Sequence, residues 1–224
     1  EKAIHEKYPD IKLIAGTGSD PTIFPNGEAE VKYLMGQWKE LKPAFVDLHY
    51  YRDPEWFLQN ADLFDNYDRS MPQVFVGEYA AQSVGVGKPE NRNTWKCALY
   101  EAAFMTGMER NADVVRMTCY APLFGNEDAW QWRPDLIWFN SLKSYGSANY
   151  YVQKLFSTNT GDKLLSVKTA DAPSSGSAKQ ELLACATLDD KTGEAIIKVV
   201  NATGSAQETT IDLAGAAKLG ATAK

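Results

Sequence analysis

The chain has 224 residues, 44% of them hydrophobic, 12% aromatic and 23% charged, and a formal net charge of −6; this suits one large globular domain or one and a half smaller ones. The acidic balance and the lack of clustered Lys and Arg exclude nucleic acid as a partner, because neutralising phosphates needs a basic patch. No run of about 18 apolar residues occurs, so neither a membrane-spanning helix nor a membrane partner is expected.

Residues 1–8 have a helical pattern that stops at Pro9. They lack the basic and apolar regions of a signal peptide, and they read as a helix entered midway, so the chain is expected to be a piece of a longer protein. Residues 11–15 form an apolar, branched run ending in Gly16-Thr17-Gly18-Ser19, a buried strand entering a loop. That loop has neither the third Gly nor the Lys of a phosphate cradle. A helix over 28–41 is closed by Pro43. Residues 44–51 read as a strand with Phe45, Asp47, His49 and Tyr51 on one face. A helix over 54–67 follows, with Asp53 as its N-cap and Pro54 in its first turn. After the turn at Ser70-Met71-Pro72 comes a strand over 73–79 that delivers Glu78 at its end. A long helix over 91–111 and a strand over 113–120 come next. Residues 123–145 then form a loop rich in Trp, Asp and Asn, whose length and Trp130, Trp132 and Trp138 suggest function. A helix over 147–158 closes the alternation.

Strands alternating with helices of about 12–20 residues predict parallel pairing with helical crossovers. The expected fold class is therefore α/β, with residues 1–160 forming half of a (β/α)8 TIM barrel; a small doubly wound sheet has no nucleotide fingerprint to support it. Beyond 160 the pattern changes to strand-like segments at 164–170, 181–188, 194–201 and 207–213, with a hairpin turn at 189–193 and a polar loop at 173–178. Residues 161–224 thus read as an incomplete antiparallel β-sandwich.

A glutamate where a buried strand meets its loop is costly unless it has partners or a task, and that end of a barrel strand is where chemistry sits. The barrel reading gathers Ser19 and Asp20, His49 and Tyr51, Glu78 and Tyr79, and Tyr120 with the Trp-rich loop at one face. One carboxylate among a His, several Tyr and several Trp suggests chemistry on a sugar. A retaining glycosidase needs two carboxylates, one as nucleophile and one as acid/base, about 5–5.5 Å apart. Glu78 supplies the first. Glu127 reads as a solvated loop charge, Asp47 as a buried partner for a Lys or Arg such as Arg116, and Asp53 as a helix cap, so no second carboxylate stands out. Cys97, Cys119 and Cys185 are odd in number and lack CxxC spacing. They read as three buried thiols, and no cofactor or metal is expected.

The segments Asp47-Leu48-His49-Tyr50-Tyr51, Phe75-Val76-Gly77-Glu78-Tyr79-Ala80, Glu101-Ala102-Ala103-Phe104-Met105-Thr106-Gly107, Tyr120-Ala121-Pro122-Leu123-Phe124 and Asn149-Tyr150-Tyr151-Val152-Gln153 resemble the α-L-arabinofuranosidases of glycoside hydrolase family 51. The likeness runs through nearly the whole chain in the same order. It implies a (β/α)8 barrel with a C-terminal β-sandwich, of which this chain holds strands five to eight and part of the sandwich. It also implies a retaining mechanism with the nucleophile on strand seven and the acid/base on strand four. Glu78 matches the nucleophile and Tyr51 a tyrosine that touches it. His49 lies at the same sugar-binding strand end, and Tyr79 and Trp132 are expected to add sugar contacts. The Gly-Asn-Glu that carries the family's acid/base would lie upstream of Glu1, and Gly125-Asn126-Glu127 does not match it in position. The implied substrate is an arabinan- or arabinoxylan-type polysaccharide or oligosaccharide that loses terminal α-L-arabinofuranosyl groups. The 224 residues alone are expected to be inactive, and their two open sheet edges to favour a homo-oligomer. The alternative is a non-catalytic carbohydrate-binding or scaffolding module built on Trp130, Trp132 and Trp138.

Overall fold

The computed structural model describes residues 2–16, 27–168, 182–215 and 220. Helix α1 (Lys2–Lys7), strand β1 (Ile14–Gly16), helix α2 (Gly27–Leu41), strand β2 (Phe45–Arg52), helix α3 (Pro54–Gln59), strand β3 (Gln73–Ala81), helix α4 (Trp95–Arg110) and strand β4 (Val115–Tyr120) alternate along the chain. The four strands pair in the order β1-β2-β3-β4, every pair parallel, as alternation with helices requires. Strand β1 is shorter than its apolar run suggested and sits at the sheet edge, with Ile14 45% exposed rather than buried.

Side chains fix the helix ends. Asp53 Oδ1 accepts from Trp56 N at 2.9 Å, Thr94 Oγ1 from Cys97 N at 3.1 Å, and Ser147 Oγ from Tyr150 N at 3.2 Å; each satisfies a donor that the first turn leaves orphaned. Helix α3 ends at Gln59 rather than continuing to 67. The Asn60 amide bonds back to Trp56 O at 2.8 Å, and the Asp- and Asn-rich residues that follow form turns instead, as short polar side chains favour.

Residues 123–145 are not an irregular loop. They contain β5 (Phe124–Asn126), β6 (Ile137–Phe139) and β7 (Ser144–Gly146), with β5 parallel to β6 and β6 antiparallel to β7. Helix α5 (Ala148–Thr158) follows, then β8 (Lys163–Leu165), β9 (Leu182–Leu188) and β10 (Ala195–Asn201), an antiparallel sheet in the order β10-β9-β8. The β9–β10 turn closes where expected. Gly193 N donates to Asp189 O at 2.8 Å, with Gly193 at φ +73°, a conformation that favours glycine. Residues 207–213 do not form the expected strand; they are exposed and pair with no strand among the described residues. The polar loop expected at 173–178 lies outside the described residues, as do 169 and 170.

The core lies between the parallel sheet and its helices. Phe104 of α4 is 1% exposed and contacts the rings of Tyr50, Trp56, Phe57, Phe64 and Tyr79 at 5.4–6.4 Å. Much of the aromatic content is thus spent on packing one central ring. The β8–β10 sheet docks on the other side of α4: Val200 and Leu183 pack on Ala102, Ala103 and Leu99, and Lys198 Nζ pairs with Glu109 Oε2 at 2.5 Å, the side chains only 11% and 17% exposed. Cys97 and Cys185 are buried as expected, but Cys119, on the edge strand β4, is exposed.

Candidate active site

The C-terminal half of β3 is irregular, and the irregularity sets where Glu78 points. Leu48 pairs with Val76 but His49 pairs with Glu78, so Gly77 has no partner residue on β2. On the other side, Val76 pairs with Thr118 and Tyr79 with Tyr120, again one residue too many on β3. This is a β-bulge, which reverses the alternation of faces. Val74 and Val76 point into the core, fully buried; unbroken alternation would send Glu78 after them. The bulge instead turns Tyr79 into the core, at 0% exposed, and leaves the Glu78 side chain 43% exposed on the open face. The extra residue has to be small: a Cβ on Gly77 would lie 2.0 Å from Asp47 Oδ1.

Two side chains of β2 converge on the carboxylate. Tyr51 Oη donates to Glu78 Oε2 at 2.6 Å, and His49 Nδ1 lies 3.5 Å from the same oxygen. His49 Nε2 is 3.1 Å from Asp47 Oδ2. Asp47, His49 and Tyr51 share one face because they are two residues apart on one strand. Burial, and then the Glu78 carboxylate, push the Tyr51 pKa far up, so the hydroxyl stays protonated and acts as a donor. Arg116, the cation expected beside Asp47, donates to Ala112 O at 3.0 Å. A cavity of about 400 Å³ opens beside this cluster, walled by Tyr51, Arg52 and Asp53 and by residues 82–86.

Tyr79 is not brought to the Glu78 face. Its hydroxyl accepts from Gln153 Nε2 at 2.6 Å behind the sheet, where its ring meets Phe104 and Tyr120. Trp132 is half exposed between β5 and β6, and it makes no hydrogen bond or ion pair to the Asp47–His49–Glu78–Tyr51 cluster among the described residues. Ser19 and Asp20 lie outside the described residues. Glu127 accepts from Asn140 Nδ2 at 2.5 Å, and that bond, with one from Tyr145, lowers its pKa. The Arg133 guanidinium lies over one face of Trp130 and one of Trp138, 4.0 and 5.1 Å from their centroids.

Sequence reading missed a second carboxylate, behind the sheet. Glu101 of α4 is 0% exposed; Oε1 accepts from Ala81 N at 2.7 Å and Oε2 from Asn149 Nδ2 at 2.6 Å. The signal was available. Glu101 lies three residues after Ala98 and four before Met105, on the buried stripe of its helix.

Residues 77–224 match the family model described as the α-L-arabinofuranosidase C-terminal domain. An extracellular exo-α-L-arabinofuranosidase of Streptomyces chartreusis is 49% identical over 176 residues, 76% of this chain and 19% of that protein. A probable α-L-arabinofuranosidase A of Aspergillus terreus is 38% identical over 175 residues, 76% of this chain and 24% of that protein. The solved structure of arabinose-bound MgGH51 α-L-arabinofuranosidase superposes with a TM-score of 0.72 at 32% identity, over 92% of this chain and 31% of that one. An α-L-arabinofuranosidase from Thermotoga maritima shares the fold at a TM-score of 0.60 and 18% identity, over 89% of this chain and 45% of that one. The chain therefore spans about a fifth to a quarter of these curated relatives.

Proposed function

Since the chain belongs to the α-L-arabinofuranosidases of glycoside hydrolase family 51, matched over their C-terminal domain, we propose that it is part of a longer retaining glycoside hydrolase with Glu78 as its nucleophile. That enzyme removes terminal α-L-arabinofuranosyl groups from arabinan- or arabinoxylan-type polysaccharides. The observation that carries the reading is the strand-end carboxylate held by Tyr51 at 2.6 Å and approached by His49 at 3.5 Å on the bulged end of β3. On this reading β1–β4 are strands five to eight of a (β/α)8 barrel within residues 1–160, and 161–224 belong to a C-terminal β-sandwich.

The chemistry follows from the geometry. Both contacts to Glu78 fall on Oε2, leaving Oε1 to attack the anomeric carbon. The glycosidic C–O bond breaks as the Oε1–C1 bond forms, and the leaving oxygen takes a proton from an acid/base carboxyl outside these residues. Water, deprotonated by the same group as base, then attacks C1 as the C1–Oε1 bond breaks, freeing the Glu78 carboxylate and releasing arabinose with its configuration retained. Tyr51 orients the nucleophile throughout, and His49, held by Asp47, approaches the same oxygen. The cavity beside Tyr51 has room for the sugar that remains, and Trp132 offers a half-exposed ring for stacking. Without the acid/base the 224 residues alone lose at least the about 10²–10⁴-fold that such assistance supplies. The binding-module alternative is weakened by Arg133, whose guanidinium takes one face of each of Trp130 and Trp138 from a stacking sugar.

The test is hydrolysis of a chromogenic arabinofuranoside by the natural full-length protein and its Glu78→Gln variant. We expect kcat to fall about 10⁴-fold with the melting temperature preserved. A variant that keeps its activity removes Glu78 from the nucleophile's role.

A further inference from the structure

The C-terminal end of β3 is gripped from behind at two points. Gln153 of α5 holds the Tyr79 hydroxyl at 2.6 Å. Glu101 of α4 takes the Ala81 amide at 2.7 Å and the Asn149 amide, in the first turn of α5, at 2.6 Å. Ala81 is the last residue of β3, three beyond Glu78; it pairs with Arg52 of β2 but lies beyond Tyr79, the last residue of β3 that pairs with β4. A carboxylate buried on a helix is costly, and a helix interior can do without one, so its retention in a tie to two other elements calls for a purpose.

We propose that Glu101 is a positioning residue: by tying the Ala81 amide to the first turn of α5 it fixes the end of β3, and with it the depth and aim of the Glu78 carboxylate. The proposal rests on the reading of Glu78 as nucleophile. Its physical basis is that the Glu78 side chain is 43% exposed at a bulged strand end, where among the described residues Tyr51 and His49 meet its carboxylate in front and the Glu101 tie grips the strand end from behind.

The surroundings of Glu101 say which of its chemical properties the tie needs. The titratable groups facing it are Tyr79 of β3, Tyr120 of β4 and Cys97 of its own helix, all neutral acids, with Asn149 from α5; no cation pairs with it among the described residues. Burial pushes its pKa up to about 8 against the pull of the Ala81 and Asn149 bonds. A glutamine at 101 keeps both ties once the Asn149 side-chain amide turns over: its Oε1 accepts from Ala81 N, and its amide nitrogen donates to Asn149 Oδ1, a buried acceptor with no partner among the described residues.

Three variants of the natural full-length enzyme decide the matter: Glu101→Leu, Glu101→Gln and Asn149→Ala. For Glu101→Leu we expect kcat per folded molecule to fall about 10²-fold, the cost of misplacing a reacting group by about an ångström, with KM within about twofold. Glu101→Gln should restore kcat to within about threefold. Asn149→Ala removes only the α5 end of the tie and keeps the question open to test if Glu101→Leu does not fold; it should show the same split, smaller. Unchanged kcat in the folded variants, or a Glu101→Gln enzyme as impaired as Glu101→Leu, overturns the proposal. Hydrogen exchange at the Ala81 amide reads the tie without reference to catalysis and should quicken in Glu101→Leu. Faster exchange with full activity would discard the positioning role while leaving Glu78 as nucleophile, whereas an active Glu78→Gln enzyme would discard the nucleophile reading itself.

Discussion

Tyr51 and Glu101 show two ways in which burial tunes a side chain in this fold. Tyr51 is kept protonated beside a carboxylate and so remains a donor to it. Glu101 is buried with no cation paired to it among the described residues, and its pKa is raised from 4.5 to about 8. The sign of the consequence is fixed by linkage. Between about pH 4.5 and 8 the folded chain holds a proton on Glu101 that the unfolded chain has released. Its favourable contribution is thus complete below about pH 4.5 and is lost as the pH rises through 8. The slope is at most about 1.4 kcal/mol for each pH unit in that window. Chemical denaturation at pH 5, 6.5 and 8 should show the parent losing a few kcal/mol across the series and Glu101→Gln losing markedly less. An equal loss in both would assign the proton to another group.

At the scale of elements, the bulge in β3 decides what the site contains, and Gly77 is its weak point. The Asp47 carboxylate occupies the space that a side chain at 77 would need. Gly77→Ala therefore has to push Asp47 aside, and Asp47 is what holds His49. We expect kcat to fall about 10²-fold and stability by about 1–3 kcal/mol from the overpacking; kinetics paired with thermal melts would show both, and a fully active variant would mean that the close approach does not set the site. The sequence pattern located β2, β3, β4, α4 and α5 to within a few residues, because each is long enough for its apolar period to register. It also placed Glu78, His49 and Tyr51 at neighbouring strand ends. What escaped it has identifiable causes. Strands β5, β6 and β7 have three residues each, too few to display a period. Residues 207–213 alternate like a strand but pair with no strand among the described residues. Tyr79 was expected beside Glu78 because it stands at the same strand end, although neighbours on a strand point to opposite faces; which of the two meets the core is set by the bulge, and a bulge leaves no mark in the hydrophobic pattern. Only a glycine just before a strand-end carboxylate hinted at it.

For the molecule as a whole, the parallel sheet ends in β1 on one side and β4 on the other, and parallel sheets are ordinarily covered on both faces. Here the helices and the core take one face. The other carries Phe45 and Phe75 only partly buried around Asp47 and His49, with Met117 39% exposed. On β4 residues 116–119 are all exposed, leaving an edge whose backbone groups can pair with another chain. Arg116 is its one charge, a thin defence by the standard of edges that natural proteins protect with several. A chain of these 224 residues should therefore self-associate through β4 and the open face. Sedimentation velocity at micromolar concentration, under reducing conditions so that the exposed Cys119 forms no cross-link, should show species heavier than the 24.8 kDa monomer. Met117→Lys places a charge on the open face next to that edge and should shift the distribution toward monomer while leaving the helix-side core intact. A strictly monomeric parent chain would mean that the exposed edge and apolar face are too weak, or too well solvated, to drive association.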